Sequence, residues 1–451
     1  MIWRPIITGG LATAVAEVAR EAAKRLSDSQ LVERAAEAAL AQTAYPKSTH
    51  WLHYSVSQGY AGLALLWSYL DSCFPDKGWD VVGRRHLEVA ARDAEARFSL
   101  PAGLFSGLSG LAFAAWQLSR GGVRYRRLLA SFDAAIVPQA LELAATLRAQ
   151  RDGVGIGDFD VISGLSGVGA YLLCRRSEAA VTGALGKVID ALVELVSEGQ
   201  VLPRWHTPNR LLWDEDLQRI YPHGHLNCGL AHGLPGIIAF LALSLKLGGE
   251  APGLREALAN SARWLGASRK DDEWGVNWPT AVAVIEEETP AGRVLRPGSG
   301  SDAPEGQSRC AWCYGSPGVA RSLWLAGEAL GDEDLRQLAI SAMEAVFRRP
   351  AAVRRIDSPT FCHGKAGLLQ IALRFANDTG CQAFAAESET LVRELLQAYQ
   401  PESLLGFRNI EFADREIDQP GLLDGTPGVT LALLAASNAV VPDWDRLFLL
   451  S

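Results

Sequence analysis

The chain has no run of lysines and arginines, no long apolar stretch and no even set of cysteines, and each lack removes a class of protein. Its 43 basic residues are outnumbered by 51 acidic ones, for a formal charge of −8, and they cluster nowhere. Nucleic acid is therefore not an expected partner, because phosphate binding needs concentrated positive charge. No apolar stretch runs uninterrupted for the roughly eighteen residues a membrane helix needs, so no membrane span is expected. The opening MIWRPIITGG lacks a basic region followed by an apolar core, which argues against a secretory signal. The seven cysteines (Cys73, Cys174, Cys228, Cys310, Cys313, Cys362 and Cys381) are odd in number and scattered. That pattern fits a reducing cytoplasm better than a disulfide framework.

What the chain does have is glycine in a phased arrangement. Seven times a Gly-x-x-Gly step opens an apolar, helix-length run: SQGYAGLALL, FSGLSGLAFA, ISGLSGVGAY, AHGLPGIIAF, CYGSPGVARS, CHGKAGLLQI and DGTPGVTLAL. The first glycines are Gly59, Gly107, Gly164, Gly233, Gly315, Gly364 and Gly425, at intervals of 48 to 82 residues. Each interval has room for two helices and their connections. Long-period repetition is the mark of helical arrays and closed rings, and no linker-like break interrupts the series. One domain over 1–451 is expected, with residues 1–50 supplying outer N-terminal helices.

The segments after the glycines, such as GLALLWSYL and GIIAFLALSL, are apolar nearly all round and predict buried inner helices. Between them, stretches such as LRQLAISAMEAVFRRP have helical apolar spacing with a charged outer face. The pattern predicts an all-α fold, an α/α toroid with seven inner and seven outer helices. Glycine at each step allows positive φ and close backbone approach. Pro235, Pro317 and Pro427 suit the first turn of a helix, where a missing N–H costs little. Two segments, 202–227 and 271–309, are rich in Trp, Pro, Gly and charge and are expected to be long loops lining the mouth of the cavity. Within the second, PAGRVLRPGSGSDAPEGQ is expected to be the most mobile part.

Counting back from the first glycines brings chemistry into phase. Cys313 and Cys362 each lie two residues before a first glycine; His363 and His232 each lie one before. Two thiolates and one imidazole make a three-ligand zinc set that leaves a fourth tetrahedral position open, as catalytic zinc requires. Taken singly, each is better read as a packed core residue, since free cysteine behaves as a small hydrophobe; it is the phased set that favours a metal. Cys310 forms a C-x-x-C pair with Cys313, but it lies out of phase: the residue matching it before Gly364 is Pro359.

His232 is the candidate for proton transfer, imidazole being the side chain that changes charge near neutral pH; its rival role is a fourth metal ligand. Asp160, four before Gly164, or its neighbour Asp158, would orient it, although an aspartate near a helix start is as readily an N-cap. Arg309 and Tyr314 flank Cys313, where a guanidinium stabilises a developing oxyanion and a phenol hydrogen-bonds it.

The strings YPHGHLNCGLAHGLPGI, WCYGSPGV, FCHGKAGL and DGTPGV, with DVISGLSGVG upstream, resemble those of the lanthionine synthetase C family, the cyclases of lantibiotic biosynthesis. The resemblance implies an α/α toroid with one catalytic zinc per chain, held by Cys313, Cys362 and His363. It implies catalytic roles for His232, Asp160, Arg309 and Tyr314. It also implies the reaction, addition of a precursor-peptide cysteine thiol to dehydroalanine or dehydrobutyrine, giving lanthionine or methyllanthionine. The expected partners are the dehydrated precursor peptide and a dehydratase, with a cytoplasmic location or attachment to a membrane through that complex. Similar proteins of the family add glutathione to dehydrated residues, or bind peptide without catalysis, and both remain alternatives at the level of sequence.

Overall fold

The computed structural model describes residues 2–197, 201–290, 292–300 and 308–451. The chain is mostly helical and divides into two compact units. One comprises the residues up to Pro101, Phe105–Phe132 and Arg355–Asp445; the other comprises Ala102–Leu104, Asp133–Arg354 and Arg446–Ser451.

In the first unit the glycine-step helices are Tyr60–Cys73, Leu108–Gln117, Lys365–Thr379 and Thr426–Ser437. They pack in the order Lys365–Thr379, Thr426–Ser437, Tyr60–Cys73, Leu108–Gln117. Every residue from Tyr60 to Leu70 and from Thr426 to Ala436 is buried, as sequences apolar on all sides require. Their outer partners are amphipathic. Trp79–Glu95 packs on Tyr60–Cys73 and buries Gly83, His86, Leu87 and Ala90, the single stripe of a surface helix. Gln382–Gln397 covers Lys365–Thr379, and the N-terminal helix Gly9–Leu26 covers Thr426–Ser437. The N-terminal segment thus supplies the last glycine-step helix with its outer partner.

The second unit repeats the scheme. Its glycine-step helices, Leu165–Cys174, Leu234–Lys246 and Ser316–Leu330, are each followed by a covering helix: Ala179–Val196, Leu254–Ala267 and Glu333–Arg348. Pro235 and Pro317 fall in the first turn of their helices, as does Pro427 in the other unit.

Among the described residues one helix, Arg126–Ala149, is long and apolar enough to cross a membrane by length and composition. It also carries Asp133, which is buried and accepts bonds from the Tyr171 hydroxyl at 2.6 Å and from Arg175 Nη2 at 2.8 Å. A carboxylate satisfied by protein donors is what a helix packed in a protein interior needs.

The glycines work differently from the expectation of positive φ. Six of the seven first glycines have negative φ, and only Gly315, at +97°, lies in the region that favours glycine. Their necessity is closeness. A Cβ on Gly315 would stand 1.6 Å from the Arg309 carbonyl oxygen, and one on Gly233 would stand 2.1 Å from that of Asn227. The second glycines obey one rule in both units. At Gly62, Gly167, Gly236, Gly318 and Gly428 the nearest atom to an added Cβ is the carbonyl oxygen six residues back.

Successive turns are stitched by main-chain bonds of one register. In the first unit the N–H of Cys362 donates to Leu423 O (2.9 Å), that of Leu422 to Ser57 O (2.8 Å), and that of Val56 to Phe105 O (3.1 Å). In the second, Leu104 donates to Ile162 O (3.1 Å), Val161 to Ala231 O (3.0 Å), and Ala231 to Cys313 O (3.3 Å). Every acceptor lies two residues before a first glycine. The phase seen in sequence is therefore a hydrogen-bonding register.

Two segments depart from the expected long loops. Ala281–Thr289 pairs antiparallel with Gly292–Pro297 and with the short strand His225–Asn227, making a three-stranded sheet. Part of the stretch expected to be mobile is thus a strand; residues 291 and 301–307 of it lie outside the described residues. The 202–227 segment folds as the short helix Glu215–Ile220, a 3₁₀ turn at Asn209–Leu211 and the strand itself. A two-stranded ribbon, Arg408–Glu411 with Arg415–Asp418, was also hidden by its polar sequence.

Candidate functional site

Asp160 is buried at the start of the turn that leads to Gly164. Its Oδ1 accepts from the backbone N–H groups of Ser163 (2.8 Å) and Gly164 (2.9 Å), and its Oδ2 faces His232 Nδ1 at 2.7 Å. Oδ2 thus faces the histidine while Oδ1 ties the turn together; the helix that follows is capped by Gly164 without a side-chain bond, so Asp160 is not its N-cap. Asp158 is excluded from the pairing, since its Oδ2 accepts from Gly155 N at 3.0 Å.

His232 precedes Gly233 in the turn held by Ala231, with a third of its side chain exposed (34%). Because a carboxylate only accepts, Nδ1 carries the proton and Nε2 is left with its lone pair. The Tyr314 ring lies 6.0 Å from the His232 ring, tilted by 31°. Asn227 donates from Nδ2 to the Tyr314 hydroxyl (3.0 Å) and accepts at Oδ1 from Gly229 N (2.9 Å). Gly229 makes room for the phenol, since a Cβ there would meet the ring at 2.5 Å. Asn227 and Gly229 escaped the sequence reading. Asn227 lies six residues before Gly233, the position whose carbonyl crowds that glycine, and this was the signal available.

Cys313 is buried two residues before Gly315, while Cys362 and His363 are partly exposed ahead of Gly364. Cys313 belongs to one compact unit, and Cys362 with His363 to the other. Two sulfurs and one imidazole nitrogen form a borderline-soft donor set of the kind zinc takes, with one tetrahedral position to spare. Cys310 is buried, and burial pushes its thiol up to about 11. Cys228 is likewise buried and pushed up to about 12. Both behave as core residues. Arg309 is exposed, and its side chain does not join the chain of contacts running from Asp160 through His232 and Tyr314 to Asn227.

A mainly helical protein whose glycine turns carry thiols and imidazoles, with a histidine facing a buried carboxylate, is the class these features define. A model of the family described as lanthionine synthetase C-like protein matches residues 50–449. The nisin biosynthesis protein NisC of Lactococcus lactis subsp. lactis is 26% identical over 356 residues, which are 78% of this chain and 82% of that protein. A solved structure of nisin cyclase superposes with a TM-score of 0.75 at 24% identity, covering 93% of this chain and 97% of that one. The chain belongs to the lanthionine synthetase C-like family, and its fold is the α/α toroid.

Proposed function

We propose that the protein is a zinc-dependent lanthionine and methyllanthionine synthetase. It joins cysteine thiols of a dehydrated precursor peptide to dehydroalanine or dehydrobutyrine in the same peptide. The observation that carries this reading is the Asp160–His232 pair, together with a donor set of two thiols and one imidazole. Family membership and the name of the nisin relative support it.

Cys313, Cys362 and His363 would hold one zinc. When bound, the ion supplies the positive charge that turns a peptide thiol, ordinarily with a pKa near 8.5, into a thiolate at neutral pH. Addition forms a bond from sulfur to the β-carbon and moves the alkene electron pair toward the carbonyl, giving an enolate. A proton then reaches the α-carbon, so thiol and alkene become thioether with no change in composition. His232 moves that proton. With Nδ1–H given to Asp160, the Nε2 lone pair takes the proton leaving the thiol, and the resulting imidazolium returns one to the α-carbon. Asp160 holds the ring and offsets the charge the imidazolium gains. Tyr314, fixed by Asn227 and Gly229, offers its hydroxyl to the enolate oxygen, and Arg309 adds positive charge on the solvent side. The segments 202–227, 271–290 and 292–300 frame the entry of the peptide, and a dehydratase supplies it in the cytoplasm.

The test is incubation of the purified protein with a dehydrated, cysteine-containing peptide, followed by intact mass and thiol alkylation. Ring formation removes alkylatable thiols without changing mass, and zinc content should be about one per chain. A mass increase only when glutathione is added identifies intermolecular thiol addition instead. Thiols that stay free would sink the cyclase reading.

A further inference from the structure

Asp424 occupies, in the seventh turn, the place that His363 has in the sixth: both stand one residue before a first glycine. Main-chain bonds hold these two turns together, with the N–H groups of Phe361 and Cys362 both donating to the Leu423 carbonyl, at 3.0 and 2.9 Å. The residue after Leu423 is therefore fixed beside the residue after Cys362. An Asp424 carboxylate oxygen lies 3.7 Å from His363 Nδ1, with both side chains mostly shielded from water. That separation is one small side-chain rotation longer than a hydrogen bond. It is also the Nδ1 edge that faces the carboxylate, which leaves Nε2 as the nitrogen available to a metal.

We propose that Asp424 is the positioning residue for the metal ligand His363, accepting its Nδ1–H when the ion is bound. A ligating imidazole is held in one tautomer and one orientation by the group its other nitrogen meets, and a carboxylate there also makes the ligand nitrogen more basic. Asp160 stands in the same relation to His232 in the other unit, Oδ2 to Nδ1 at 2.7 Å. The two histidines are thus served by two carboxylates reached from different positions: Asp160 four residues before its own first glycine, Asp424 one before.

This inference rests on the zinc reading, and metal affinity measured without turnover separates the two. Zinc affinity of the full-length protein is measured by competition with a chromophoric chelator, and ligand identity from the absorption spectrum of the cobalt(II) form. Asp424→Ala is expected to weaken zinc binding by roughly 10- to 100-fold, with Asp424→Asn intermediate. The cobalt sulfur charge-transfer bands should persist, and the melting temperature of the metal-free protein should match that of the wild type. In a His363→Cys background, whose ligand has no second ring nitrogen, Asp424→Ala should change affinity by less than about twofold. Wild-type protein that fails to bind zinc overturns the underlying reading. Wild-type protein that binds zinc while Asp424→Ala binds equally well overturns this proposal alone. An equal loss from Asp424→Ala in the His363→Cys background overturns it too, because the carboxylate would then act without the histidine.

Discussion

Asp160 divides its carboxylate between two tasks, holding the Ser163 and Gly164 amides with one oxygen and His232 Nδ1 with the other. The amide side fixes which way an isosteric amide would sit. In Asp160→Asn the oxygen must stay on the two backbone donors, so the –NH2 turns toward His232 and forces its proton onto Nε2. That tautomer cannot take a proton from a thiol. Ring closure should fall by about 10³-fold or more, while zinc content stays at the wild-type level. Steady-state cyclisation followed by mass spectrometry, beside metal analysis, checks both halves.

The two cysteines of the C-x-x-C pair should respond oppositely to replacement. Cys313 is a proposed zinc ligand and Cys310 is a buried core thiol. Cys313→Ala should lose zinc and activity together. Cys310→Ala should keep both, and should lower stability by about 1 kcal/mol, as small core truncations do. Zinc content and thermal melting of the two variants decide it. Zinc loss from Cys310→Ala would make Cys310 a ligand.

Gly229 is a packing device for Tyr314. A methyl group there would lie 2.5 Å from the ring, and the Cys313 carbonyl is nearly as close. Gly229→Ala should displace the phenol from Asn227 and slow ring closure, with less effect on peptide affinity than on turnover. Tyr314→Phe should show the same split without the steric cost. Equal rates in wild type and Tyr314→Phe would remove the hydroxyl from the mechanism.

His225 gives a prediction about acid. It is buried, with its ring edge against Tyr221, and burial alone pushes its pKa from 6.5 down to about 4. The folded protein therefore refuses a proton that the unfolded chain accepts. Stability is lost as pH falls below about 6.5 and levels off near 4, a total of roughly 3 kcal/mol from this residue. His225→Phe should flatten that part of the melting-temperature profile and leave neutral pH nearly unchanged. A residual slope is expected from His86, which is also pushed down to about 4 and accepts from Trp67 Nε1 at 2.8 Å. Identical acid profiles for wild type and variant would refute the assignment.

The helices and their phase were legible because they depend on local facts: apolar periodicity, prolines in first turns, and a glycine wherever two backbones touch. The places of Cys313, Cys362 and His363 were legible for the same reason, since they inherit them from the glycine register. Asp160 was only half legible. Spacing placed it near the turn, but the choice between it and Asp158 depended on which carboxylate Gly155 N would occupy. The sheet at Ala281–Thr289 went unseen because its exposed end reads as a charged loop, Glu286 to Glu288, and its partner strand lies in a Gly- and Pro-rich stretch. Asn227 was missed because its register, six before Gly233, marks a crowded carbonyl and says nothing of a side chain that holds Tyr314.

The bonds that stitch the turns use only main-chain atoms, and the side chains two and one residues before each first glycine take no part in them. The stitching itself therefore does not depend on which side chain stands at those places. The turn that carries Ser106 has the same register as those carrying His232 and His363, whereas Gln58 is engaged, accepting from His50 N and donating to Ser48 O. New ligands or acids could be written into such turns one residue at a time, so the scaffold can change its chemistry without rebuilding itself.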